Sequence, residues 1–217
     1  VCSIFALFVT TYVVHPMTVP TPSMEPTILV GDRLFIDKFT IRNGFRSGFP
    51  LTPHRTIRRG DIIVFKFPRR PEVLYVKRAV GLPGETLEIR NKTVHINGTP
   101  LDEPYKVHSD PYIQPRRGRY HFVNGDFKRD NYGPIRIPEA AYFVMGDNRD
   151  DSADSRYFGF LPHSHIVGKP LFIFWSYEDD ADAYLKSSLP EILGLYAERI
   201  IFFFPRTRWS RMGRAVR

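Results

Sequence analysis

Two side chains of this 217-residue sequence stand in settings that could support nucleophilic chemistry. Ser23 lies in residues 21–26 (TPSMEP), where prolines on both sides restrict the backbone. A serine in this setting is a candidate nucleophile, and the alternative is an ordinary turn residue. Lys77 lies in the apolar segment 74–80 (LYVKRAV), where strand alternation places it on the same face as the small Ala79. The alternative role for this lysine is to protect an edge strand against aggregation.

A third unusual segment is residues 146–156 (GDNRDDSADSR), which is dense in Asp, Ser and Arg. It fits a calcium loop poorly because Arg149 occupies the third ligand position and the glycine and terminal glutamate are misplaced. We therefore expect internal ion pairs that make this loop rigid, with a solvated acidic turn or a helix cap as the alternatives. His163 and His165 have no further plausible ligands nearby in the sequence, so no metal site and no cofactor are predicted. A Ser-His-Asp triad would lack its G-x-S-x-G turn.

Composition and charge set outer limits on the class of protein. The hydrophobic fraction of 42% and charged fraction of 25% are those of a globular chain, which excludes disordered, collagen-like and low-complexity classes. A single cysteine excludes an intrachain disulfide framework and a cysteine-ligated zinc site. The net charge of +8 suits anionic lipid or nucleic acid. Interleaved aromatic and basic stripes are not evident, so nucleic acid is not a predicted partner.

The first residues predict a membrane segment. Residues 1–24 contain no charged side chain, and residues 1–14 are almost continuously apolar. Fourteen helical residues span about 21 Å, less than the ~30 Å hydrocarbon core, so we interpret residues 1–15 as the C-terminal part of a membrane anchor that ends near His15. Pro16 then begins extended backbone. A buried core helix or the apolar region of a signal peptide is the alternative.

The remaining pattern predicts a mainly β fold. Short β-branched and aromatic segments bounded by Gly and Pro indicate an antiparallel β-sheet catalytic core in residues 16–96 and 141–177. Asn97-Gly98 predicts a hairpin turn, and residues 97–140 are interpreted as an inserted smaller β-subdomain. In residues 178–217 an apolar stretch precedes several arginines. This stretch predicts either a membrane-interfacial element or a helix and final strand packed on the β-core.

Four sequence blocks carry a family resemblance. They are S-M-x-P-T at 23–27, G-D-R at 31–33, Y-V-K-R-A-V-G-L-P-G-E at 75–85, and G-D-N-R-D-x-S-x-D-S-R at 146–156. In this order, after an apolar segment, they resemble bacterial type I signal peptidases, also called leader peptidases. The resemblance is strong over residues 17–37, 61–96 and 142–176.

The resemblance implies a role for individual side chains. Ser23 would be the nucleophile and Lys77 the general base of a Ser-Lys dyad, with no histidine. The backbone N–H of Ser23 and the hydroxyl of Thr21 would stabilise the oxyanion. Three further interactions are implied around the dyad: the Ser152 hydroxyl orients the Lys77 amine, Asp154 pairs with Arg156, and Asp147 holds Arg78.

A substrate pocket for small side chains is also implied, lined by Met17, Val19, Met24, Ile28, Tyr75 and Val76. Two positions depart from the family pattern. Thr21 stands where many relatives have Ser, and Glu25 stands where a more apolar residue is usual.

The function implied is that of a membrane-anchored serine endopeptidase, which cleaves N-terminal signal peptides from exported preproteins after small residues in an A-x-A pattern. Its partners would be preproteins and membrane lipid, and it would act as a monomer. It would lie at the plasma (inner) membrane with its catalytic domain on the outer, periplasmic face. The alternatives are a related Ser-Lys peptidase with a dedicated substrate such as a pilin, and a catalytically silent basic β-protein that binds lipid or nucleic acid.

Overall fold

The fold was obtained as a computed structural model, which describes residues 14–37, 56–113, 129–179 and 188–217. The strands are β1 (Val14–Thr18), β2 (Asp32–Asp37), β3 (Ile62–Phe67), β4 (Arg70–Gly81), β5 (Thr86–Arg90), β6 (Thr93–Ile96), β7 (Thr99–Pro100), β8 (Tyr132–Arg136), β9 (Ala141–Met145), β10 (Leu161–Pro162) and β11 (Ile166–Ser176). The α-helices are α1 (Ser155–Phe158), α2 (Leu189–Ile201) and α3 (Phe203–Arg206). Short 3-10 turns occupy Pro22–Met24, His163–His165 and Trp209–Arg211.

The strands form two antiparallel sheets, which confirms the predicted mainly β fold. The larger sheet has seven strands in the order β1-β2-β11-β3-β4-β9-β10, and the smaller has four in the order β7-β6-β5-β8. The predicted hairpin is confirmed, because Asn97 and Gly98 have φ values of 50° and 83° and join β6 to β7.

Two boundaries differ from the sequence prediction. The smaller sheet already begins at Thr86, whereas the inserted subdomain was predicted to start at residue 97. The turn that contains Gly84, with φ of 77°, takes the chain out of the larger sheet directly after β4. Strand β1 begins at Val14, so extended backbone starts before Pro16. Residues 1–13 of the predicted anchor lie outside the described residues, and within the described part no helix is long and apolar enough to cross a membrane.

The centre of the larger sheet is covered on both faces. On one face Leu34, Ile62 and Val76 belong to a single buried cluster. On the other face Ile63 and Ala79 belong to a second buried cluster. Because successive residues of a strand point to opposite faces, this two-sided packing removes the middle of β4 from water. Lys77 lies in this buried part of β4.

The C-terminal segment divides into a packed part and an uncovered part. The Arg211 guanidinium donates to both carboxylate oxygens of Asp32, at 3.1 and 2.5 Å, and Val216 joins the core cluster behind β2. Helix α2, by contrast, has no buried residue. Residues 211 and 216 are therefore packed on the β-core, as one alternative predicted for this segment, whereas the membrane-interfacial alternative stays a prediction.

The close packing of β11 on β2 generates a stability prediction. A Cβ added at Gly168 would lie 2.1 Å from the carbonyl oxygen of Asp37, which is backbone and cannot move aside cheaply. We expect Gly168→Ala to lower the free energy of unfolding by about 1–3 kcal/mol, as measured by urea denaturation. The control is Gly194→Ala in α2, where no atom lies within 4 Å of the added Cβ. Equal stability of the two variants would contradict the prediction.

Candidate active site

The candidate nucleophile is held in a tight turn. Ser23 is the middle residue of the 3-10 turn Pro22–Met24, and the N–H of Glu25 donates to the carbonyl oxygen of Pro22 at 3.0 Å. Asn148 supports the turn from the opposite side, since its side-chain amide donates to Pro22 O and its backbone N–H to Ser23 O, both at 3.3 Å. Ser23 is 6% exposed, so its hydroxyl faces the interior of the site rather than bulk water.

The predicted base meets this hydroxyl directly. Lys77 Nζ lies 2.5 Å from Ser23 Oγ and donates a second hydrogen bond to the carbonyl oxygen of Val76 at 3.0 Å. The amine is 3% exposed. Burial lowers the pKa of Lys77 to about 8, and the more distant charges of Asp154 and Asp147 oppose this shift only in part. About a tenth of the amine is therefore neutral at pH 7, and this neutral form can accept a proton from the hydroxyl.

The neighbouring cation, Arg78, points to the other face of β4 and is paired there. Its guanidinium donates to both oxygens of Asp147, at 2.8 and 2.6 Å, and to Gly60 O at 2.7 Å. The hydroxyl of Thr27 also donates to Asp147, at 2.6 Å. The contact predicted between Asp147 and Arg78 is thus present. Because this carboxylate is already bound twice by a guanidinium, it does not form an ion pair with Lys77.

The second predicted ion pair is also present. Arg156 donates to Asp154 through Nε at 2.9 Å and Nη2 at 2.8 Å, and the N–H of Gly146 donates to the same carboxylate at 3.1 Å. Burial alone would raise the pKa of Asp154, but the positive charge and hydrogen bonds of Arg156 outweigh it and lower this pKa. Both groups of this pair therefore stay charged, and their opposite charges neutralise each other.

The predicted role of Ser152 is not seen. Its hydroxyl is buried and makes no hydrogen bond with the Lys77 amine, while its closeness to Asp154 helps to lower the pKa of that carboxyl. The carbonyl oxygen of Val76 accepts a hydrogen bond from the amine instead. Ser152 packs against Gly146, where an added Cβ would lie 2.4 Å from the serine oxygen.

The predicted oxyanion donors stand next to the nucleophile. Thr21 Oγ1 lies 3.4 Å from Ser23 Oγ, so the predicted hydroxyl is next to the candidate nucleophile, and its role as an oxyanion donor stays a prediction. The participation of the Ser23 N–H stays a prediction. The side chain of Glu25 accepts a hydrogen bond from the N–H of Val30 at 3.4 Å, within its own turn.

A cleft of about 480 Å³ opens beside the dyad, between the residues before Ser23 and the middle of β4. Four predicted pocket residues line it, namely Met17, Val19, Tyr75 and Val76. The prediction is wrong for Met24 and Ile28, which are 0% exposed and belong to the core, because the tight turn directs the Met24 side chain inward. Lining residues that the prediction missed include Val73, Leu74, Asp151 and Ala153.

Two residues that hold the site together were also not singled out from the sequence. Gly146 permits close contact, because an added Cβ would lie 2.3 Å from the carbonyl oxygen of Ser23. Glu103 forms a buried pair with Arg149, at 3.0 and 2.5 Å, and so fixes the loop at residues 146–156 to the chain that follows the smaller sheet's hairpin. Gly146 is the first residue of the block at 146–156, which the sequence analysis had identified. Glu103 lies in an irregular polar segment, where no motif pointed to it.

Within the described parts of the chain, no group of three acidic, His or Cys side chains is placed to hold a metal ion.

The contact at Gly146 generates a prediction. We expect Gly146→Ala to reduce kcat for peptide hydrolysis about 100-fold, because the added methyl displaces the Ser23 turn from its position against Lys77. The same Cβ added at Gly194 should leave kcat unchanged. Circular dichroism and urea unfolding separate lost activity from lost folding. An unchanged kcat in Gly146→Ala would contradict the close-contact explanation.

Comparisons with known proteins identify relatives of this chain. The family described as signal peptidase, peptidase S26, matches residues 1–175. Signal peptidase I of Pseudomonas aeruginosa is 34% identical over 199 residues, which cover 80% of this chain and 69% of that protein. Signal peptidase I of Bacillus amyloliquefaciens is 37% identical over 175 residues, which cover 80% of each chain. A solved signal peptidase I from Enterococcus faecalis is 33% identical, covers 53% of this chain and 97% of that one, and has a TM-score of 0.40.

The matched region contains Ser23, Lys77 and the whole of the 146–156 loop, so the family assignment and the described site concern the same residues. The match also spans well over half of the sequence. This chain belongs to the signal peptidase family, peptidase S26.

Proposed function

We propose that the chain is a serine endopeptidase that removes N-terminal signal peptides from exported preproteins through a Ser23-Lys77 dyad. The observation that carries the proposal is the 2.5 Å contact between Lys77 Nζ and Ser23 Oγ in a site from which water is largely excluded. A buried lysine is costly, and a chain that used it only for structure would pair it with a carboxylate. Here the hydroxyl of a serine takes that place.

The reaction follows from the contacts. The neutral amine of Lys77 takes the Ser23 proton while the serine oxygen bonds to the scissile carbonyl carbon. The resulting oxyanion is held by the Thr21 hydroxyl and the Ser23 N–H. The C–N bond then breaks, and the Lys77 ammonium returns its proton to the leaving amine. In the second half the same amine activates a water molecule, which releases the acyl group and restores Ser23.

The cleft favours an extended substrate with small side chains. Its walls are apolar at Met17, Val19 and Val76, and it lies between two extended backbone segments that can pair with a peptide strand. We propose cleavage after small residues in the A-x-A pattern. The long uncharged run in residues 1–15 supports attachment to a membrane. We propose, from the family alone, that this is the plasma membrane and that the catalytic domain lies on its outer face.

The function is tested with a preprotein that carries Ala at both specificity positions, incubated in detergent. Wild type should cleave it at the Ala-x-Ala site, and Ser23→Ala and Lys77→Met should each lose at least about 1,000-fold in rate, as expected when a nucleophile or its base is removed. Matched controls are Ser164→Ala and Lys66→Met, two exposed positions outside the cleft. Cleavage that survives in folded Ser23→Ala would identify a different nucleophile. A folded wild type that leaves this substrate intact would favour a peptidase with a dedicated substrate or a silent binding protein.

The pH dependence tests the role of the lysine. Only the deprotonated amine is active and its pKa is about 8, so kcat/KM should rise roughly tenfold per unit from pH 6 toward pH 8 and level off above it. The profile is measured with a peptide substrate that contains no titratable group near the cleavage site. Lys66→Met should reproduce the wild-type profile. A rate that stays flat from neutral to alkaline pH would exclude Lys77 as the base.

A further inference from the structure

The substrate cleft contains one carboxylate that the proposed reaction does not use. Asp151 lines the cleft beside the dyad, in the loop at residues 146–156. The block that carries the family resemblance, G-D-N-R-D-x-S-x-D-S-R, leaves this position open. The Asp151 side chain is exposed, and it makes no hydrogen bond or ion pair with another described residue. Its charge therefore faces the space that a substrate would occupy.

The preceding residue shows how an aspartate of this loop is placed when it serves the fold. The Asp150 side chain is 3% exposed and lies 3.4 Å from both the Lys92 amine and the Arg129 guanidinium. The backbone N–H of Asp110 donates to the same carboxylate at 2.9 Å. Asp151 has no contact of this kind, so the contacts that hold the loop do not account for its charge.

The charge of Asp151 is not neutralised by the groups around the cleft. Among the described residues that line the cleft, the only Asp, Glu, Lys or Arg side chains are those of Asp151 and Lys77. The two ion pairs behind the dyad are neutral overall. Lys77 has to be neutral to accept the proton of Ser23. The reactive form of the cleft therefore carries a single negative charge, that of Asp151.

Asp151 also lies close enough to the dyad to influence it. Burial lowers the pKa of Lys77, and the charge of Asp151 is among those that oppose this shift. A carboxylate without a partner at this place therefore works against the neutral amine that the reaction requires. A cationic group of the substrate that pairs with Asp151 would offset this effect in the bound complex.

The other walls of the cleft offer a substrate cation no competing partner. They are largely apolar and include Met17, Val19, Val73, Leu74 and Val76. In the proposed A-x-A pattern, the first and third residues before the scissile bond are small. A long cationic side chain near the dyad therefore belongs either to the residue between these two or to the first residues after the scissile bond.

Building on the proposed function, we propose that Asp151 is a specificity-determining residue that binds a lysine or arginine side chain of the preprotein. The cation stands between the two small residues or at one of the first two positions after the scissile bond. The contact joins a carboxylate to an ammonium or guanidinium group at the margin of the cleft. For a solvent-accessible pair of this kind we expect a preference of about fivefold in kcat/KM.

Matched peptides test this preference. Each A-x-A peptide carries Lys, Gln or Glu at one of the three positions and no other charge near the cleavage site. At one of these positions, wild type should cleave the Lys peptide with a kcat/KM about fivefold above that of the Gln peptide, and the Glu peptide more slowly than both. Asp151→Asn should bring the ratio of Lys to Gln to about one, and Asp151→Lys should favour the Glu peptide. The control is Asp102→Asn, an exposed aspartate outside the cleft, which should keep the wild-type ratio.

A binding measurement separates recognition from catalysis. Fluorescently labelled peptides are titrated with Ser23→Ala, and their anisotropy reports binding without any cleavage. The Lys peptide should bind about fivefold more tightly than the Gln peptide, and this preference should disappear when Asp151→Asn is added to Ser23→Ala. It should also weaken as the salt concentration rises, because salt screens an accessible pair of charges.

Two results would overturn the proposal. One is equal kcat/KM for the Lys and Gln peptides at all three positions in a wild type whose cleavage depends on Ser23 and Lys77. The other is a preference for Lys that persists in Asp151→Asn, because another group would then bind the cation. Binding of the Lys peptide that depends on Asp151, in a protein that cleaves none of the peptides, would support the cation site and contradict the peptidase function.

Discussion

The structure depends on burying one amine, that of Lys77, away from water without pairing it with a carboxylate. Lowering the pKa of Lys77 from 10.5 to about 8 corresponds to about 3 kcal/mol of destabilisation of its charged form. The fold provides this by covering both faces of β4 with apolar clusters. It also engages the two nearest carboxylates elsewhere, Asp147 with Arg78 and Asp154 with Arg156. Each of these ion pairs therefore keeps a carboxylate from pairing with Lys77, in addition to holding its own two side chains in place.

The loop at residues 146–156 connects the Ser23 turn to the chain that follows the smaller sheet's hairpin. Asn148 holds the Ser23 turn, and Arg149 reaches Glu103 in the chain that follows β7 of the smaller sheet. Val107 forms a parallel bridge with Asn148, so this loop is fixed from both sides. The buried ion pairs of Arg149 with Glu103 and of Arg156 with Asp154 fix the loop, so it holds the Ser23 turn in a defined position. The smaller sheet thus contributes to the site without supplying a side chain to the cleft.

Sequence reasoning succeeded where a local pattern determines the outcome. Strand alternation placed Lys77 and Arg78 on opposite faces, and the Asn-Gly turn fixed a hairpin. It failed where three-dimensional packing decides. A 3-10 turn sends Met24 into the core while its neighbour Ser23 faces the cleft, and no spacing rule distinguishes the two. Glu103 was out of reach for the same reason, since its partner lies 46 residues away in a different element.

The packing of residues 211–216 beneath β2 bears on when the enzyme becomes competent during its own synthesis. Asp32 follows the Ser23 turn closely in the chain, yet the cation that pairs with it among the described residues is Arg211, which leaves the ribosome 179 residues later. Until then the nascent chain holds an uncompensated carboxylate where the core should close, and the first strands lack the support of Val216. The segment that contains Ser23 therefore gains this support only after residue 216 has been synthesised. The site is thus completed by long-range packing late in folding, and not by the local structure of its own strands.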